Sequence, residues 1–154
     1  MNAENVSFRK AARADLEEII AILADDELGQ SREDPSVPLS EDYVAAFGAI
    51  DTDPNQLLAV AVIAGKIAGT LQLTFIPGLS RHGSWRGQIE AVRIARARRG
   101  SGLGHAMFEW AIERCRERRC RLVQLTTDKT RPDAHRFYEQ LGFTASHEGY
   151  KLQL

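Results

Sequence analysis

Apolar residues recur along this chain with two periods, and the switches between them lay out its elements. Val6-Ser7-Phe8-Arg9 alternates apolar with polar, the signature of a short strand. From Ala14-Asp15-Leu16 the spacing changes, and Leu16, Ile19, Ile20 and Leu23 fall on one stripe of a helix. That pattern decays through Asp25-Asp26-Glu27-Leu28-Gly29 into a polar stretch with Pro35 and Pro38, which reads as a loop. Ser40, with Glu41 and Asp42 behind it, starts a second helix carrying Tyr43, Val44 and Phe47, and Asp53-Pro54-Asn55 ends it. Two apolar runs, Leu57 to Ile63 and Lys66 to Ile76, flank Ala64-Gly65 as a β-hairpin. Beyond Pro77-Gly78 and a polar loop holding Trp85, Gln88 to Ile94 is another strand. A glycine-rich segment then leads into a long helix to about Arg118, with Leu103, Met107, Trp110, Ala111 and Cys115 inward. Leu122 to Thr126 reads as a buried strand, Pro132 to Leu141 as a short helix stopped by Gly142, and Phe143–Ser146 and Tyr150–Leu154 as two closing strands.

There is no internal repeat, low-complexity tract or linker, so one mixed α/β domain over residues 1–154 is expected. Its central sheet should have about six to seven strands, flanked by about four helices. With 44% hydrophobic and 27% charged residues, the composition is that of an ordinary globular protein. No apolar run approaches the roughly 20 residues needed to cross a bilayer. Met1-Asn2-Ala3-Glu4-Asn5 lacks the basic and apolar regions of a secretory leader. A cytoplasmic protein without a membrane partner is expected. Cys115 and Cys120 are expected as two buried or half-buried thiols, and with the four histidines scattered no metal site is expected.

The net charge of −1 conceals an asymmetry: residues 1–54 hold 13 acids against 4 bases, the remainder 8 acids against 16 bases. Most of the cations are arginine, the side chain suited to forked recognition of phosphate. The arginines at 93, 96, 98, 114, 116, 118, 119 and 121 raise the question of nucleic acid. Sparse aromatics and the lack of a nucleic-acid motif instead make them a solvated face plus contacts to a cofactor's phosphates.

The most informative stretch is strand, Arg99-Gly100-Ser101-Gly102-Leu103-Gly104, helix. Its glycines let a ligand approach the backbone, and the helix start offers unpaired N–H groups and a positive dipole end. Together they form a phosphate cradle. A dinucleotide fingerprint requires a third glycine where His105 or Met107 stands, and a P-loop requires a lysine that is missing.

What remains, Arg-x-x-Gly-x-Gly after a strand, resembles motif A of the GNAT acetyltransferases. Ile89-Glu90-Ala91-Val92-Arg93-Ile94 resembles that family's fourth strand, and Ala134-His135-Arg136-Phe137-Tyr138-Glu139-Gln140-Leu141-Gly142-Phe143 its motif B. The resemblance spans nearly the whole chain and implies the GNAT fold and an N-acetyltransferase using acetyl-CoA. It implies that the backbone of Val92 and Ile94, with Arg93 between them, pairs with the pantetheine arm as an added strand. It implies that the N–H groups from Gly100 through Ser101, Gly102, Leu103 and Gly104 to His105 take the pyrophosphate, assisted by Arg99. Arg131 occupies a position where the family often has asparagine, which could still reach a phosphate or carbonyl; His135 borders the cofactor. Tyr138 is the implied acid for the departing thiolate, although Ala134, Phe137, Tyr138 and Leu141 also form a helical stripe. Glu90 is the candidate base, acting through water, or else a strand carboxylate paired with an arginine. Asp128 and His135 are weaker alternatives.

The connection after the first helix forms part of the acceptor wall in this family, so Asp25-Asp26-Glu27 with Glu33-Asp34 is expected to favour a cationic acceptor or to be exposed loop charge. The expected acceptor is a primary amine of a small molecule or peptide, attacking directly in a ternary complex. A non-catalytic CoA-binding module and an acyltransferase for longer acyl groups or oxygen acceptors are the alternatives. A homodimer is compatible with the resemblance; nucleic acid is not expected.

Overall fold

The structure is a computed structural model that describes residues 5–154; the reading of the first residues as leaderless rests on 1–4, outside that range. The chain falls into two compact units, 1–124 and 125–154, each treated by itself below.

The first unit is built on a five-stranded sheet in the order β1 (Val6–Lys10), β2 (Gln56–Ile63), β3 (Lys66–Ile76), β4 (Arg86–Ile94) and β5 (Leu122–Gln124). Neighbours are antiparallel except for β4 and β5, which run parallel. The β2–β3 hairpin closes through Ala64 and Gly65, both with positive φ (50° and 75°), the two-residue turn whose twist matches the strands. The sheet is smaller than the six to seven strands expected. Phe143–Ser146 and Tyr150–Leu154 alternate correctly but pair with no strand among the described residues, and Tyr150, Leu152 and Leu154 are 90%, 86% and 116% exposed. Alternation creates a face for burial, but a strand also needs a neighbour to satisfy its backbone.

One sheet face is covered by α1 (Leu16–Ala24) and α3 (Glu41–Thr52). Leu16, Ile19, Ile20 and Ile22 pack there with Phe47, Val60 and Ile67, each fully buried Leu, Ile or Phe contributing about 1.5–3 kcal/mol. Asp15 prepares α1 by accepting from Ala12 N–H at 2.7 Å and from Arg9 Nη1 at 2.6 Å. Ser40 caps α3 by accepting from Asp42 N–H. Between these helices lies α2 (Gly29–Arg32), a single turn where a plain loop was expected.

The other face is covered by α5 (Leu103–Glu117), with Leu103, Met107, Phe108, Ala111 and Cys115 buried. Trp110 is only partly buried and stacks on Phe8 of β1, ring centroids 5.2 Å apart. Two strand glycines explain how closely α5 approaches. A Cβ at Gly69 would lie 2.7 Å from Met107 Sδ, and one at Gly87 would overlap Cys115 Sγ. Both cysteines are free, Cys115 buried and Cys120 half-buried. The turn Ser80–Gly83, numbered α4, is left-handed, with φ of 55° at Arg81 and 60° at His82.

The second unit contains α6 (Pro132–Gln140), with proline at its start. It ends in a Schellman motif: Gly142 at φ 94° donates to Glu139 O at 3.0 Å, and Phe143 N–H donates to Tyr138 O at 3.0 Å. The rings of Tyr138 and Phe143 meet edge to face at 6.2 Å, the apolar contact that accompanies this stop. The Tyr-x-x-x-Gly-Phe spacing is therefore also a helix terminator.

Candidate active site

The site begins at a defect in β4. Gln72 of β3 lies opposite Glu90, yet Thr70 lies opposite Arg93, so Leu71 faces both Ala91 and Val92. Ala91 is the bulged residue, at φ 52°, a conformation that costs a non-glycine residue about 1–2 kcal/mol. Meanwhile β5 accompanies β4 only along Arg86–Gln88. From Ile89 to Ile94 the outer edge of β4 has no strand neighbour among the described residues. Ala95 N–H donates inward to Ala68 O at 2.8 Å, and backbone groups alternate between edges. Ile94 and Val92 consequently turn theirs outward. Both outward carbonyls are covered by arginine: Val92 O accepts from Arg93 Nη1 at 2.9 Å, and Ile94 O from Arg99 Nε at 3.3 Å.

That edge runs into the glycine-rich turn. Gly100 and Gly102 have φ of 74° and 84°, and a Cβ at either would meet nothing within 4 Å. Gly102 is the N-cap of α5, whose first intrahelical bond is Ala106 N–H to Gly102 O. The N–H groups of residues 102–105 thus lack intrahelical acceptors, while Ser101 Oγ donates back to Arg98 O at 2.5 Å. Free backbone donors, open space over two glycines and adjacent arginine fit a diphosphate. His105 leans away, 3.1 Å from Glu109 Oε1.

The acidic connection after α1 is neutralised in large part by these same arginines. Asp25 Oδ1 lies 2.5 Å from Arg96 Nη2, and Arg99 Nη2 donates to Asp25 O at 2.5 Å. The Arg96 hydrogen bond is the largest cause holding the Asp25 carboxyl below the usual carboxylate range. Asp26 Oδ2 lies 2.9 Å from Arg93 Nε, although the N–H does not point along that line, and Asp26 also accepts from Gly29 N–H. Glu33 accepts from Tyr43 Oη and Asp34 from Ser36. The charges of Asp25 and Asp26 are spent on Arg93, Arg96 and Arg99, which weakens the expectation that they attract a cation; Glu27 is exposed.

Facing α1 rather than α5, the sheet carries a polar floor. Gln72 Nε2 and Thr74 Oγ1 both donate to Gln56 Oε1, at 3.0 and 2.9 Å. Across β4, Gln124 Nε2 donates to Gln88 Oε1 at 2.9 Å. Directly opposed residues share a face, so register places Gln72 with Glu90, Thr74 with Gln88, and Gln88 with Gln124. Glu90 is exposed and makes no ion pair among the described residues, in contrast to the arginine pairing considered from sequence. Period-2 polar residues inside apolar strands were the available signal for this floor. Neither the Asp25–Arg96 pairing nor the bulge had one.

The second unit carries Arg131, His135 and Tyr138. Arg131 is the N-cap of α6 and donates its N–H to Asp128 O at 3.1 Å. Asp128 accepts from Thr130 N–H and Oγ1, at 2.9 and 2.7 Å. His135 is exposed, and Tyr138 is half-buried between Phe137 and Phe143.

Residues 16–143 match the model of the acetyltransferase (GNAT) family. Aminoalkylphosphonate N-acetyltransferase of Salmonella typhimurium is 34% identical over 109 residues, covering 69% of this chain and 70% of that protein. Glucosamine 6-phosphate N-acetyltransferase of Trypanosoma brucei brucei is 36% identical over 91 residues, covering 58% of this chain and 59% of that protein. A crystal structure described as a transcriptional regulator from Bacillus halodurans C-125 superposes with a TM-score of 0.94 at 53% identity, covering 97% of this chain and 100% of that one.

Proposed function

The chain belongs to the acetyltransferase (GNAT) family and is an acyltransferase; from that premise we propose that it acetylates a primary amine of a small molecule by direct attack with both substrates bound. The observation that carries this reading is the edge of β4 that has no strand neighbour among the described residues and runs from the bulge into the start of α5. Acetyl-CoA, the family's co-substrate, supplies an acetyl group activated as a thioester. In the proposed mode Val92 and Ile94 exchange backbone hydrogen bonds with the pantetheine arm in place of Arg93 and Arg99. The N–H groups of residues 100–105 hold the pyrophosphate with Arg99, and Arg131 and His135 border the cofactor.

Three tasks follow for this chain's residues. Val92 N–H stabilises charge growing on the carbonyl oxygen. Glu90, exposed and without an ion pair among the described residues, accepts a proton through water from an ammonium whose ordinary pKa is about 10.4. Tyr138 donates a proton to the departing thiolate. Neither thiol suits a covalent acyl intermediate: Cys115 is buried, with burial pushing its thiol up to about 12, and burial also raises that of the half-buried Cys120. The Salmonella typhimurium and Trypanosoma brucei brucei relatives are named for amine acceptors, which supports an amine here. Arginines in α5 and at its C-cap are engaged locally, Arg116 with Glu113 at 3.1 Å and Arg118 over Phe75, which supports a reading without nucleic acid. The span of the family match supports one functional domain.

Tyr138→Phe should lower turnover by about a hundredfold while leaving cofactor affinity intact. Unchanged turnover removes Tyr138 from the mechanism. The non-catalytic alternative draws on the description of the Bacillus halodurans neighbour as a regulator. It predicts bound acetyl-CoA without amine-dependent thiol release.

A further inference from the structure

The polar floor has chemistry that the proposed reaction does not use, and the geometry points to the acceptor's class: a hydroxylated primary amine with an anionic group, such as a phosphate, at its far end. This rests on the reading above and deepens it. Along β4, Arg86, Gln88 and Glu90 stand at alternate positions and therefore on one face, in the order cation, amide, carboxylate. Their Cα atoms span about 13 Å from first to last at strand spacing. Arg86 is half-buried, its guanidinium over the Gly78 turn, with no ion pair or hydrogen bond among the described residues. Most other arginines near the site are already neutralised: Arg93 by Asp26, and Arg96 and Arg99 by Asp25. Arg86 is thus an uncompensated cation on the floor, at the end opposite the candidate base.

Between the two charges, the amides use only one end each among the described residues. Gln56 and Gln88 accept through Oε1, which leaves their NH2 donors open. Gln72 and Gln124 donate through Nε2, which leaves their carbonyl oxygens open. The floor therefore offers donors and acceptors interleaved. A hydroxyl both donates and accepts, so a hydroxylated ligand satisfies such a surface at every point. A linear polyamine brings only donors and methylenes, leaving the open NH2 groups unmatched, and its second ammonium would be repelled by Arg86. The amine end belongs at Glu90, beside the bulge, and the anion at Arg86, where a guanidinium can grip two phosphate oxygens.

The test compares glucosamine 6-phosphate, glucosamine, hexylamine and spermidine as acceptors in the intact protein, following thiol release from acetyl-CoA. In parallel, glucosamine 6-phosphate is titrated calorimetrically in the presence of CoA. The phosphorylated sugar should exceed glucosamine in kcat/KM by about tenfold or more, the loss expected from one charge-assisted contact. Arg86→Gln should reduce that ratio to about one, chiefly through KM. Gln72→Leu with Gln88→Leu should cost the two sugars more than hexylamine. Spermidine or hexylamine matching the sugars, or a phosphate preference that survives Arg86→Gln, would overturn the assignment. If no amine is acetylated, the catalytic reading fails separately. Calorimetry then decides the seat: binding weakened by Arg86→Gln supports it, and absence of binding to the unaltered protein overturns it.

Discussion

Gly102→Ala separates what the glycine-rich turn does for folding from what it does for a ligand. At φ 84° an alanine is strained, but its Cβ would meet nothing within 4 Å, so the folding cost is confined to the backbone. That cost is about 1–2 kcal/mol, partly offset by the lower entropy of an unfolded alanine. For a domain of this size, 1 kcal/mol corresponds to a fall in Tm of about 2–4 °C. The cofactor effect should be larger than that modest penalty suggests. The open space over Gly102 is where the diphosphate is proposed to sit, and a methyl group there holds it off the N–H donors. Losing one charge-assisted hydrogen bond of about 1.5–3 kcal/mol raises Kd by roughly ten- to a hundredfold. Gly65→Ala is the matched control: φ is 75°, the space is again empty within 4 Å, and the residue lies in the β2–β3 turn. Thermal melts and CoA titrations of both variants should show similar Tm losses but weakened binding only for Gly102→Ala. Equal CoA affinity in the two would refute the assignment of the turn to phosphate.

Further predictions concern packing and charge. Gly87→Ala drives a Cβ into Cys115 Sγ and should cost about 1–3 kcal/mol in chemical denaturation. Cys115→Ala in the same chain should recover at least about 0.5 kcal/mol relative to additivity, and strict additivity would mean that α5 does not rest on Gly87. The Asp25 carboxyl is held below its ordinary range by Arg96 first, with Arg99 contributing. Its tie to the turn is therefore complete above about pH 4, its unfolded value, and is lost as pH falls through the lower folded value. Protection factors over residues 93–99, which divide out the pH dependence of intrinsic amide exchange, should fall on acidification, and Asp25→Asn should show that fall already at neutral pH. An unaltered exchange profile in Asp25→Asn would exclude the tie as a restraint.

Elements whose order depends on local chemistry were legible in the sequence. The α1 stripe, the Ala64-Gly65 hairpin and the α5 start at Gly102 appear where periodicity and turn residues put them. The motif B ending was legible too, and the Schellman bonds from Gly142 and Phe143 give it a structural cause besides any catalytic one. The closing strands were misread because alternation at Tyr150, Leu152 and Leu154 specifies a face without supplying a partner. The bulge escaped because alanine carries no preference for φ 52°; register against β3 imposes it. Pairings such as Asp25 with Arg96 join residues distant in the chain, and like charges clustered in sequence had suggested separate roles for them. The polar floor is assembled across β2, β3, β4 and β5, so its amides become a surface only once register is known.

Amine-dependent acetyl transfer is tested most directly by incubating the protein with acetyl-CoA and glucosamine 6-phosphate. Free thiol and the mass of the sugar are then followed together. Transfer predicts one thiol released per sugar gaining one acetyl group, with Tyr138→Phe binding the cofactor normally and turning over slowly. Acetyl-CoA bound with the expected affinity, but releasing no thiol with this or any primary amine, would contradict an N-acetyltransferase and leave a CoA-binding module.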